Sequence, residues 1–125
     1  MIDDSAISNL VSVVRQTAFE LHAFLRWGHL ERVYENGLAH RLRKTGLHVE
    51  MQKRIEVRDE DGTVIGDYVA DMFLESILLV ELKACSALAD EHIAQVLGYL
   101  RATGLKHGML INFGAPVIQF KKLIL

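Results

Sequence analysis

Residues 68–83 read Tyr-Val-Ala-Asp-Met-Phe-Leu-Glu-Ser-Ile-Leu-Leu-Val-Glu-Leu-Lys, and they place charges among strand-forming apolar residues. Asp71 has apolar neighbours on both sides, although aspartate is disfavoured in strands. The run Ile-Leu-Leu-Val that follows is typical of a strand buried on both faces. Because side chains alternate along a strand, Glu81 and Lys83 share one face about 7 Å apart, while Leu82 points into the core. A buried carboxylate without a partner costs several kcal/mol, so we expect these charges to have one.

A divalent cation between the two strands would provide that partner. Mg²⁺ prefers hard oxygen ligands, keeps several waters and usually takes one or two protein carboxylates. Asp71 and Glu81, expected within about 5 Å of each other, would bind it together with the backbone carbonyl of Leu82. Lys83 would then lie near a coordinated water, where it orients the water or stabilises charge on a phosphate. The alternative is a Glu81–Lys83 ion pair beside a solvated Asp71, and these residues alone do not decide between the two.

Hydrophobic spacing along the chain predicts the element order α-α-β-β-β-α-β-β. Apolar residues recur at helical spacing over about 5–25 and 30–45, with Gly28 at the junction and Gly46 placed to end the second helix. The remaining elements are strands near 49–57, 63–73 and 77–83, a helix near 88–103, and strands near 108–113 and 117–125. Three meandering strands, a crossover helix and a further strand make a mixed α+β sheet flanked by helices.

The first predicted strand alternates between apolar and polar residues. Its apolar members are Val49, Met51, Ile55 and Val57, and its polar members are Glu50, Gln52, Arg54 and Glu56. The alternation predicts that the apolar side chains share one buried face.

The bulk composition indicates a globular intracellular domain. The chain has 125 residues, 50% hydrophobic and 24% charged, so residues 1–125 are expected to form one domain. A net charge of −2 weighs against a strongly basic protein that coats DNA. Cys85 is the only cysteine and can form no internal disulfide. The sequence shows no signal-peptide pattern and no apolar run near the roughly 20 residues that span a bilayer, so we expect a cytoplasmic protein without a membrane segment.

The hairpin of residues 68–83 resembles the signature of the PD-(D/E)xK nuclease superfamily. In that signature an aspartate ends one strand and ExK ends the next. Asp71 corresponds to the aspartate and residues 81–83 to ExK, while Ala70 stands where the name-giving proline would be. That proline is often absent in the superfamily.

Two further motifs extend the resemblance. Residues 28–34 read GxxExxY, the motif that names a small prokaryotic family within the superfamily. Residues 95–99 read QxxxY, which is similar to the motif of RecB-like nucleases on the helix after ExK. With a closing strand near residues 104–114, the resemblance spans about residues 7–123.

The resemblance implies a restriction-endonuclease-like core and a role for each motif residue. Asp71 and Glu81 would be metal ligands for Mg²⁺ or Mn²⁺, and Lys83 would be the catalytic lysine. Glu31 would be an acidic helper that reaches the metal directly or through water.

Gln95 and Tyr99 would flank the site, since residues four apart share a helix face. For each of these helical residues a purely structural role stays open as the alternative. Glu31 fits equally a first-turn carboxylate favoured by the helix dipole. Gln95 and Tyr99 fit a hydrogen-bonded pair that packs the helix on the sheet, and Gly28 fits a simple helix junction.

Two classes of function follow from these residues. The first is a metal-dependent nuclease that hydrolyses nucleic-acid phosphodiester bonds, with DNA expected, through a metal-activated water. The second is a non-catalytic, nuclease-like binding or accessory module of a larger nucleic-acid-processing complex. A chain of this length leaves little room to read sequence, so specificity would come from a homodimer, a partner subunit or the structure of the substrate.

Overall fold

The computed structural model describes residues 4–125, and these contain the elements in the predicted order. The helices are α1 (Asp4–Leu25), α2 (Glu31–Lys44) and α3 (Asp90–Thr103). The strands are β1 (Val49–Arg58), β2 (Val64–Leu74), β3 (Leu78–Lys83), β4 (His107–Asn112) and β5 (Gln119–Ile124). The predicted fold class, a mixed α+β sheet flanked by helices, is therefore confirmed. No helix within residues 4–125 combines the length and the apolar character needed to cross a membrane.

The strands form one sheet in the order β1-β2-β3-β4-β5. β3 and β4 run parallel with α3 as the crossover between them, and the other neighbouring strands are antiparallel. α1 and α2 pack on one face, against Val80 and Leu82, and α3 packs on the other, against Leu79. The apolar run of β3 is thus buried on both faces, as its composition predicts.

The β1–β2 hairpin extends beyond the rest of the sheet. β2 pairs with β1 along most of its length, but it pairs with β3 only from Met72 to Leu74. Residues 64–70 therefore have a neighbouring strand on one side alone. The two strands separate at Asp71, and this opening between β2 and β3 holds the candidate site.

Both strands of the hairpin change faces at Gln52 and Asp71. Val49 packs with α1 and α2, whereas Ile55 packs with α3. Strict alternation would place both side chains on the same face, so the predicted single buried face of β1 is wrong. The cause is Gln52, whose φ of +52° interrupts the extended backbone, with Asp71 facing it across the hairpin.

The connection between α1 and α2 is fixed by Gly28 and Tyr34. Gly28 has a φ of +110°, a conformation that side chains other than glycine rarely adopt. The Tyr34 hydroxyl donates to the Arg26 carbonyl at 2.6 Å and accepts the His29 N–H at 3.2 Å. These residues therefore build the turn after which α2 begins at Glu31, in agreement with the helix-junction interpretation of Gly28.

Candidate active site

The carboxyl groups of Asp71 and Glu81 fill the opening between β2 and β3. The Asp71 N–H donates to Glu81 Oε1 at 2.7 Å, and the Leu82 N–H donates to Asp71 Oδ2 at 2.7 Å. Side-chain oxygens thus replace the ladder hydrogen bonds that end at Met72. Both residues are buried, with relative exposures of 8% and 4%, and the charge of Asp71 acts on the Glu81 carboxyl group. The structure brings together the two carboxylates that the sequence pairs.

Burial and mutual repulsion shift the ionisation of this carboxyl pair. Burial, followed by the charge of Asp71, raises the pKa of Glu81 to about 8. Burial also raises the pKa of Asp71, against the hydrogen bond from the Leu82 N–H, which lowers it. Glu81 therefore keeps its proton near neutral pH, and a cation that displaces this proton gains two adjacent carboxylates.

Lys83 lies beside the carboxyl pair but does not form an ion pair with it. Its Nζ donates to Gln95 Oε1 at 3.0 Å, and the ion pairs formed within residues 4–125 do not include it. Its charge nevertheless acts to lower the pKa of Asp71 and of Glu81. A Glu81–Lys83 ion pair beside a solvated Asp71 therefore does not describe this structure.

α3 covers the carboxyl pair from one side with Gln95 and Tyr99. In the described part of the chain, Gln95 is exposed and bonds to Lys83 rather than to Tyr99. Tyr99 is buried, which raises its pKa to about 12, and the charges of Glu81 and Asp71 add to the rise. Tyr99 is thus a neutral phenol within the field of the carboxyl pair.

α2 brings two carboxylates to the other side of the opening. Glu31, the first residue of α2, is exposed, and its charge contributes to the raised pKa of Asp71. Glu35, one turn later, is buried and accepts a hydrogen bond from Gln52 Nε2. Burial raises the pKa of Glu35, with the charge of Asp71 adding to the rise. Both glutamates therefore interact electrostatically with Asp71.

The sequence reasoning missed Glu35 and Gln52. Glu35 does carry a signal, because it falls in line with Leu38 and Leu42 on the buried face of α2. A carboxylate in such a stripe requires a partner. Gln52 carries no such signal, since its backbone conformation leaves no trace in the polarity pattern.

The donor set fits a hard divalent cation. Asp71 and Glu81 offer only oxygen atoms, and Mg²⁺ and Mn²⁺ are bound through carboxylate, carbonyl and water oxygens. Among residues 4–125, no group of three or more His, Cys, Asp or Glu side chains is arranged to hold a metal. The side-chain ligands would accordingly be this pair, with water completing the shell. Ligation by the Leu82 carbonyl stays a prediction, since the Leu82 contact at the pair is made by its N–H.

The fold and the site together define a class of protein. Helices cover both faces of a mixed sheet, and a buried acidic pair lies beside a lysine where two antiparallel strands separate. This is the architecture of a nuclease-like domain. A sequence model of the PD-(D/E)XK nuclease superfamily matches residues 8–123, and the chain belongs to that superfamily.

A solved structure, the crystal structure of SSO0001, supports the fold. It superposes with a TM-score of 0.56 over 74% of this chain, at 15% sequence identity. The chain spans 48% of the length of that protein. At this level of identity the likeness concerns the fold alone. No curated protein matches the chain.

Raising the pH from about 4.5 to about 8 is expected to destabilise the metal-free protein through Glu81. The fold raises the pKa of Glu81 from its ordinary 4.5 to about 8, so the folded state keeps a proton that the unfolded chain releases in this window. Stability is therefore lost as the pH rises toward 8 and changes no further above it. Urea denaturation in EDTA at several pH values measures the effect.

Glu81→Gln provides the matched control for the pH dependence, because glutamine does not titrate. The free energy of unfolding of the wild type, minus that of the variant, should fall steadily as the pH rises from about 4.5 to about 8. A difference that is constant from about pH 5 to about pH 8 would contradict the raised pKa.

Proposed function

We propose that this protein is a nuclease that uses Mg²⁺ or Mn²⁺ to hydrolyse phosphodiester bonds of nucleic acids, DNA first among them, in the cytoplasm. The observation that carries the proposal is the buried Asp71–Glu81 pair beside Lys83. Two adjacent buried carboxyl groups cost free energy that a purely structural hairpin need not incur, whereas a cation site uses both. Membership of the superfamily supports the same activity. Residues 28–34 favour the GxxExxY family within it.

The reaction is a hydrolysis at phosphorus. The oxygen of a water forms a bond to phosphorus, the bond from phosphorus to one ester oxygen breaks, and that oxygen takes up a proton. A bound divalent cation would lower the pKa of water and offset charge on the phosphate. Asp71 and Glu81, with the Leu82 carbonyl, are the residues that would hold it.

The remaining site residues act on the water and the phosphate. Lys83 orients the water and stabilises the negative charge that grows on the phosphate. Gln95 holds the Lys83 ammonium on the α3 side. Glu31, exposed at the start of α2, reaches the site directly or through a water. Tyr99 packs as a neutral side chain and shields the carboxyl pair from bulk water.

A second candidate function is a nuclease-like module that binds without turnover. It is favoured by the reciprocal hydrogen bonds of Asp71 and Glu81, since these satisfy the separated strands without any cation. Such a module would work in complex with a partner subunit or as a homodimer.

Cleavage of labelled DNAs and RNAs distinguishes the two candidates. We expect the wild type to cleave at least one member of a panel of single-stranded, double-stranded and flapped substrates with Mg²⁺ or Mn²⁺. Cleavage should stop in EDTA, because the carboxyl pair then has no cation. Gel electrophoresis of end-labelled products provides the measurement.

Glu81→Gln serves as the control for a contaminating enzyme. The glutamine keeps a side-chain oxygen that can accept the Asp71 N–H, so the fold should survive while the second carboxylate is lost. A folded wild type that cleaves no substrate under these conditions would favour the binding module.

A further inference from the structure

A cleft of about 430 Å³ lies between the β1–β2 hairpin and α3. Tyr68 forms one wall, Gly98 and Arg101 line the α3 side, and Glu56 and Arg58 line the hairpin side. None of these residues has a role in the proposed hydrolysis.

Tyr68 joins the cleft to the carboxyl pair. Tyr68 is 44% exposed, and the centroid of its ring lies 5.0 Å from that of the Tyr99 ring. The charges of Glu81 and Asp71 in turn act on the Tyr99 hydroxyl and raise its pKa. Tyr68 precedes Asp71 by three residues on the same strand, a distance of about 10 Å. An exposed aromatic ring thus lies about 10 Å along the strand from Asp71, a residue of the proposed site of hydrolysis.

The cleft contains a cation that no carboxylate neutralises. The Arg58 side chain already has partners, because it donates to the Glu56 carboxylate at 3.0 Å and to the Gly62 carbonyl at 2.8 Å. The Arg101 side chain is exposed and forms no ion pair or side-chain hydrogen bond with any of residues 4–125. The cleft therefore suits an anion.

Gly98 keeps the α3 side of the cleft open. It lies in the interior of α3, where glycine is less favourable than alanine by roughly 0.5–1 kcal/mol. A Cβ added at Gly98 would meet no atom within 4 Å. Packing within the protein therefore does not require glycine, whereas a ligand that approaches the helix backbone would.

We propose that this cleft binds the nucleotide next to the phosphate that is cleaved, with its base on Tyr68 and a phosphate on Arg101. A base inside a duplex is already stacked and paired, so only an unpaired nucleotide can offer its face to a tyrosine. The substrate class is accordingly single-stranded nucleic acid, or the unpaired end of a duplex. This inference rests on the proposed function, since it names the substrate of the same site.

Binding in EDTA tests the inference without any need for cleavage. Fluorescence anisotropy would measure the affinity for a labelled single-stranded DNA, an RNA of the same sequence and the matching DNA duplex. We expect the wild type to prefer a single strand over the duplex. Tyr68→Ala should weaken single-strand binding on the order of 10-fold, and Tyr68→Phe should retain it because phenylalanine keeps the stacking face.

Gly98→Leu probes the open side of the cleft independently of Tyr68. Leucine favours the helix, so the fold should persist or gain stability, while the new side chain enters the cleft and lowers single-strand affinity. Phe19→Ala is the matched control, because Phe19 is also an exposed aromatic residue but lines a different cleft on the α1 side. Its affinity should equal that of the wild type.

The outcomes separate this inference from the proposed function. Preferred binding of the duplex, no binding of single strands, or unchanged affinity in both Tyr68→Ala and Gly98→Leu would overturn the subsite. If the wild type cleaves nucleic acid while any of these three results holds, the proposed nuclease function stands and the proposed subsite fails. Selective single-strand binding that depends on Tyr68, in a protein that cleaves nothing, supports the subsite and leaves the binding module as the function.

Discussion

Replacement of Lys83 by alanine is expected to lower the rate of phosphodiester cleavage by on the order of 10²-fold or more. Lys83 is held by Gln95 rather than by a carboxylate, so its charge remains available to a phosphate. The core contacts of β3 come from Leu78, Val80 and Leu82, so the fold and the metal affinity should persist. Single-turnover cleavage, circular dichroism and metal titration measure the three quantities.

Lys106→Ala is the matched control for this substitution. Lys106 is exposed and precedes β4 at the opposite end of the sheet, so its loss should leave the cleavage rate unchanged. Nucleic-acid affinity in Lys83→Ala should fall far less than the rate, because one phosphate contact is a small share of binding. Glu31→Gln should cause a smaller loss if Glu31 acts through water. An unchanged rate in Lys83→Ala would point to a contaminating nuclease or to a different active site.

Replacement of Asp71 by asparagine is expected to abolish the rise in melting temperature that Mg²⁺ or Mn²⁺ produces. At a metal concentration 100 times Kd the wild type should gain about 2.7 kcal/mol, or roughly 10 °C for a domain of this size. Asparagine retains an oxygen that can accept the Leu82 N–H, so the fold should survive. Thermal melts with and without metal provide the measurement.

The metal-free Asp71→Asn protein has its own expected behaviour. Above about pH 8, where Glu81 loses its proton, the variant should be the more stable of the two because it lacks the Asp71 charge that repels the Glu81 carboxylate. Asp67→Asn, at an exposed position on the same strand, is the matched control and should keep the full metal response. If the melting temperature of the wild type does not change at millimolar metal, the carboxyl pair has a structural role and is not a metal site.

The polarity pattern of this chain predicts the framework of the site, which is the placement of Asp71, Glu81 and Lys83 on two strands. It can do so because that placement depends on local properties of the chain. The apolar run before Glu81 requires a doubly buried strand, and the period of two fixes the common face of Glu81 and Lys83. Asp71 stands out because aspartate contradicts its strand context. Each of these inferences compares a residue with its immediate neighbours, and the structure places all three residues around one opening.

Tertiary structure alone decided what surrounds that framework. The left-handed backbone of Gln52 turns the hairpin over, so residues of one alternating series lie on opposite faces of the sheet. That turn lets Glu35 bond to Gln52 while α3 approaches the carboxyl pair from the other side through Tyr99. The sequence determined which residues carry charge into the core, because burial cost is a property of each side chain and its strand. Which distant groups meet those charges depends on one backbone dihedral and on helix packing, and neither leaves a periodic signal in the chain.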